Sequence, residues 1–169
     1  MLSLLTLWLA FAQAGAKPMP ATDITNADIQ ATLKRAIANK VRDTPIRTVN
    51  GGGHNVGVAL VYRYKGEKAD AAIHDTVSEV YQVLDGAGTL VTGGTLVNPQ
   101  KRESTSETVT QLSGPGTSGS AIQGGVSRRI AKGDLVIIPA GTPHWWREIQ
   151  EAMTYTVIRI DPNRVIALK

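Results

Sequence analysis

His74, Glu79 and His144 are the residues whose types and setting could do chemistry together. Neutral imidazoles and an ionised carboxylate suit a divalent transition metal, and two His with one carboxylate leave positions open for substrate or dioxygen. The chain has only three His, and two of them sit in this pattern. His74 and Glu79 flank a turn between strand-like runs, whereas His144 emerges from the turn Pro139-Ala140-Gly141. With no cysteine, the chain has no thiolate metal site, disulfide framework or Cys nucleophile. No Ser/His/Asp arrangement stands out, so no catalytic residue is named. Gly51-Gly52-Gly53 lacks the strand-before, helix-after context that phosphate cradling needs.

These donors must be positioned by strands. From Ile46 onward the pattern is of short, often β-branched runs: Ile46–Val49, Val56–Tyr64, Ala71–His74, Glu79–Leu84 and Thr89–Thr92, then Val126–Ile130, Leu135–Ile138, His144–Glu148 and Met153–Ile160. Many short strands at close spacing predict an all-β sandwich or barrel. Alternate strand residues share a face, so Ala72 lies with His74, Glu79 with Tyr81 and Val83, and His144 with Trp146. If those faces line one barrel, the three donors converge.

The spacing also resembles the two motifs of the cupin superfamily. Gly66, His74, Glu79 and Gly86 match the first motif, with a four-residue spacer between His and Glu. Ala72 stands where the family has its first His. Gly133, Pro139, Gly141 and His144 match the second motif, and Glu148 replaces its Asn. The resemblance spans about Gly51 to Ile160. It implies a jelly-roll β-barrel, frequently dimeric, with one metal held by His74, Glu79 and His144. Iron, copper, manganese, nickel and zinc all remain open. The family includes dioxygenases and other oxidoreductases, lyases, isomerases and cyclases. Open positions on the metal favour oxidative chemistry on a small organic or sugar-like substrate. A lyase or isomerase is the close alternative, and the missing His favours a third, a non-catalytic small-ligand-binding cupin.

Other residues admit more than one reading. His54 is a substitute fourth ligand, a pocket contact or a turn residue after three glycines. Tyr62, Tyr81 and Trp146 line the pocket or fill the core. Arg159 faces solvent or binds an anion such as a substrate carboxylate. Residues 93–125, rich in Gly, Ser and Thr around Lys101-Arg102-Glu103, read as a long loop: a lid, a dimer arm or a passive insertion.

Three segments follow. Residues 1–16 carry no charged side chain and end in small-x-small sites, as a secretory signal peptide does; a buried N-terminal helix is the alternative. Export to the periplasm or outside the cell is expected. Residues 17–45 hold a linker and a helix capped by Thr25 with Asp28 at its third position. Residues 46–169 form the barrel. The net charge of +4 is scattered, with no basic run beyond two, which argues against a nucleic-acid partner. The expected partners are a small molecule and a second copy of the chain, with no membrane after signal removal.

Overall fold

The computed structural model describes residues 19–169; the expected signal peptide lies outside them. Helix α1 (Asn26–Asn39) opens with the expected capping box, Thr25 and Asp28 each bonding the other's backbone N–H. It buries Thr32 and Ala36 and packs on β1 (Asp43–Asn50) and β2 (Asn55–Arg63). Among the described residues no helix is long and apolar enough to cross a membrane.

The rest is antiparallel sheet. After β3 (Ala71–His74) comes the long strand β4 (Ser78–Thr92). Then follow β5 (Thr95–Val97), β6 (Gln100–Lys101), a π-helical turn at Thr108–Ser113, β7 (Gly116–Gly119) and β8 (Ala121–Gln123). β9 (Val126–Ala131), β10 (Leu135–Ile138) and the longest strand, β11 (His144–Asp161), complete it. Nine of these strands form one sheet, and β5 pairs with β8 in a second.

β4 and β11 run side by side for their whole length and organise the barrel. β11 pairs on its other edge with β2 and, at His144, with β3; β4 pairs on its other edge with β10 and β9. Both strands bend midway, and the two halves of the sheet close on one apolar cluster. Val61, Tyr81, Leu90, Val136, Trp146, Tyr155 and Val157 belong to it. The result is an all-β jelly-roll barrel.

The bend accounts for two differences from expectation. Thr89–Thr92 is not separate from Glu79–Leu84, nor Met153–Ile160 from His144–Glu148; each pair is one strand. Gly86, with φ 79°, makes the corner in β4. A Cβ there would lie 2.1 Å from the carbonyl oxygen of Ala152, so glycine is required by space as well as by conformation. In β11 the pairing register shifts at four places between Trp146 and Tyr155. Extra residues at bulges invert the side-chain phase: His144 and Trp146 are buried in the first half, Met153, Tyr155, Val157 and Arg159 in the second.

Residues 93–125 are also built differently from the expected loop. They contain four short strands and the π-helical turn, and β7 pairs with β3 directly beside the donors.

Candidate metal centre

His74 ends β3, Glu79 is the second residue of β4, and His144 begins β11. The local chain brings them together by one backbone bond. The N–H of Gly141 donates to the carbonyl of His74 at 2.7 Å, which ties the turn before His144 to the end of β3. Glu79, Tyr81 and Val83 then alternate inward along β4. The three donors have ligand atoms within 4.8 Å of one another. Nε2 of His74 lies 3.3 Å and Nε2 of His144 lies 3.5 Å from Oε2 of Glu79. All three are buried, Glu79 almost completely at 1% exposure.

Glu79 is held from both sides. Its Oε2 accepts from the Tyr81 hydroxyl at 2.8 Å and its Oε1 from Arg159 Nε at 2.9 Å. Burial alone would raise its pKa, but the hydrogen bond from His74 and the charge of Arg159 outweigh it and hold the carboxyl well below the usual range. Arg159 also pairs with Asp43, so its charge is engaged by two carboxylates. It faces the cavity, and neither solvent exposure nor a free anion site describes it.

His144 is prepared for a cation. Its Nδ1 lies 3.0 Å from the carbonyl of Thr142, an acceptor, so Nδ1 carries the ring proton and Nε2 a lone pair. Burial, opposed by Glu79, pushes its pKa down to about 4, which keeps the ring neutral near pH 7. A lone pair and a carboxylate oxygen therefore face each other at 3.5 Å in a buried setting. A bound cation would resolve that repulsion. Nδ1 of His74 lies 3.1 Å from Nη1 of Arg102, which can only donate. Thus His74 here carries its proton on Nε2, and would move it to Nδ1 to ligate through Nε2. With that tautomer change the donor set fits one divalent transition metal. The identity of the metal is not fixed by two N donors and one O donor.

A cavity of about 510 Å³ opens over these residues. Ala72, Tyr81, Trp146 and Arg159 line it with the three donors. Tyr81 and Trp146 lie nearly parallel, at 14°, with centroids 6.3 Å apart. They also belong to the core cluster, so wall and core are the same residues. The indole N–H of Trp146 has no partner among the described residues. Ala72 lies opposite Ser118 of β7 and offers no donor atom.

Two candidates lie elsewhere. His54 sits in the turn between β1 and β2, its ring against Gly51, and is not among the cavity residues. Tyr62 alternates with the inward Val61 and Arg63 and meets Tyr64 edge-on at 4.9 Å, away from the cavity. Arg102, Ser113 and Ser118 are among the lining residues that the sequence did not mark as site residues. The charged triplet Lys101-Arg102-Glu103 in an otherwise Gly/Ser/Thr segment was the available signal for Arg102.

The antiparallel barrel is the jelly-roll architecture that the motif resemblance implied. No protein-family model matches the chain, and no curated protein matches it. Among solved structures it resembles a protein from Bacillus halodurans at 18% identity, covering 89% of this chain and 86% of that one with a TM-score of 0.47. It also resembles an oxalate oxidase in complex with the substrate analogue glycolate, at 20% identity over 75% of this chain and 53% of that one, TM-score 0.47. A third is an uncharacterized conserved protein with a double-stranded β-helix domain from Klebsiella pneumoniae, at 15% identity, 74% and 84% coverage and TM-score 0.42. All three are distant resemblances.

Proposed function

We propose that the chain is a metal-dependent oxidoreductase, dioxygenase-like, acting on a small organic substrate. The observation that carries this reading is the donor set itself. Two His and one Glu converge at a cavity of about 510 Å³, and Ala72 adds no fourth protein donor there. A metal in this set would supply Lewis-acid or redox chemistry to a chelating substrate. The protein's own residues do the rest. Tyr81 and Arg159 fix both oxygens of Glu79, and Thr142 fixes the tautomer of His144. Tyr81 and Trp146 form an aromatic wall suited to a flat organic ligand.

The test combines metal content with oxygen uptake. The purified protein is reconstituted with Fe(II), Mn(II), Cu(II), Ni(II) or Zn(II) and assayed by elemental analysis. An oxygen electrode then screens small hydroxy acids, keto acids, phenols and sugars. Uptake that needs both Glu79 and His144 supports the reading. Substrate conversion at the same rate without oxygen would instead assign a lyase or isomerase. Ligand binding without conversion would assign a binding module.

We propose also that the protein is exported and works as a homodimer. Support for export is the uncharged, Leu-rich start of the sequence. Mass spectrometry of protein from its host should find a chain beginning at Gly15 or Lys17; an intact Met1 would refute export. Support for a dimer is the outer face of β10, where Leu135 and Ile137 are 58% and 69% exposed. Light scattering should give a dimer mass, and Ile137→Glu a monomer.

A further inference from the structure

Four arginines line the cavity: Arg42, Arg63, Arg102 and Arg159. Three of them are neutralised by buried or half-buried carboxylates. Arg159 pairs with Glu79 and Asp43, and Arg63 and Arg42 share Glu67. Arg102 makes no ion pair among the described residues. Its Nε donates to Ser118 Oγ at 3.2 Å, and its Nη1 to Ser113 Oγ at 3.3 Å and His74 Nδ1 at 3.1 Å. All three acceptors are uncharged. Its Nη2 makes no hydrogen bond among the described residues, which leaves two N–H donors of a half-buried cation without a protein partner.

This guanidinium is held in place rather than draped over the surface. Lys101 pairs with Asp75, next to His74, and the N–H of Arg102 donates to the carbonyl of Gly116 at 3.0 Å. Nη1 lies so near Gly116 that a Cβ there would approach it to 3.0 Å. A half-buried guanidinium with no carboxylate partner is stabilised by an added negative charge nearby. Asp70 and Glu103 also line the cavity, but both are exposed to solvent.

We infer that Arg102, held by Ser113 and Ser118, is the subsite for a carboxylate group, so that the substrate of this cavity is a small organic acid. Charge-assisted bonds from a guanidinium to a carboxylate are roughly twice as strong as neutral ones. A single arginine with one free nitrogen suits a monoanionic carboxylate better than a phosphate dianion, for which several donors usually converge. The inference deepens the proposed function and rests on it for the neighbourhood of acid and metal.

Calorimetric titration of the full chain, metal-free and zinc-loaded, tests the subsite. The probes are acetate, malonate and benzoate, each against its amide, with inorganic phosphate as a further probe. At least one carboxylate should bind about tenfold or more tighter than its amide. Arg102→Gln should erase that preference in both metal-free and zinc-loaded protein, while zinc content stays the same. A preference that survives Arg102→Gln, no preference in the unaltered chain, or phosphate binding tighter than every carboxylate overturns the inference. If the Gln variant fails to melt cooperatively, Arg102→Lys decides. Carboxylate affinity several-fold weaker supports the subsite, because the ammonium cannot hold both serines and the acid; affinity equal to the unaltered chain overturns it. Elemental analysis separates the two readings. Protein without zinc but with the carboxylate preference sinks the metal reading alone, and zinc without the preference sinks the subsite alone.

Discussion

The backbone N–H of Gly141 bonds the carbonyl of His74 at 2.7 Å, so the turn that delivers one imidazole is tied to the strand end that carries the other. The two rings sit 5.0 Å apart, centroid to centroid, on either side of the Glu79 carboxylate. Gly141 has φ 79°, and open space surrounds the position of an added Cβ. Gly141→Ala therefore meets a conformational penalty only, on the order of 1–2 kcal/mol for a left-handed residue. Gly86 has the same φ, but its Cβ would lie 2.1 Å from the carbonyl oxygen of Ala152. Gly86→Ala should lose more than about 4 kcal/mol, the range of severe packing faults. Urea denaturation of both variants checks this; equal losses would mean that the β4 corner relaxes freely.

Removing any one donor should abolish stable metal binding, yet the three should differ in what they do to the fold. His144→Ala and His74→Ala should weaken metal binding by more than about 100-fold, beyond the range of changes behind the ligands. Glu79→Ala should do the same and also destabilise the barrel by about 3–5 kcal/mol, because it strips Arg159 of a buried partner. Metal titration and denaturation of each variant supply the comparison. Full metal occupancy in His144→Ala would refute the ligand set.

Acid should destabilise the metal-free protein in a window set by His144. Its folded pKa of about 4 lies below the ordinary 6.5, so between those values the unfolded chain takes up a proton that the folded one refuses. Stability consequently falls as pH drops from about 6.5 to about 4, by up to about 3 kcal/mol. The depressed pKa of Glu79 acts in the same direction lower down, its contribution being lost as pH falls below the usual carboxylate range. Thermal melts across pH should show both, and His144→Gln should flatten the upper window only. An unchanged upper slope in that variant would assign the loss to another group.

Ala72→His places a fourth donor on the cavity wall beside His74. Metal affinity should rise about tenfold or more, one further ligand bond being worth at least 1.4 kcal/mol. Turnover should fall, because the new ring competes for the open position and crowds Ser118, its cross-strand neighbour and the anchor of Arg102. Tighter metal with unchanged turnover would mean that substrate does not use that side of the metal.

How much of this was legible beforehand depends on how local its cause is. The capping box of α1 needs only Thr25 and Asp28, three residues apart, and it appears as expected. Period-two alternation makes Glu79 and Tyr81 share a face whatever the strand pairs with, and Pro139 and Gly141 announce the turn before His144. Those local rules sufficed to place three donors near one another. They did not suffice for Arg159, because the bulges in β11 reset which residues point inward, and bulges follow from the corner the strand must turn against β4. Nor could they place Arg102. It follows β6, a strand of two residues, and its position comes from the pairing of β6 with β7 and from Asp75, Ser113 and Ser118, 11 to 27 residues away. A short strand of Gly, Ser and Thr such as β7 carries no periodic signal of its own, since the sheet it joins supplies its order. Donor identity and strand phase are thus written in neighbouring residues, whereas the charge that faces the donors is decided only when distant strands meet.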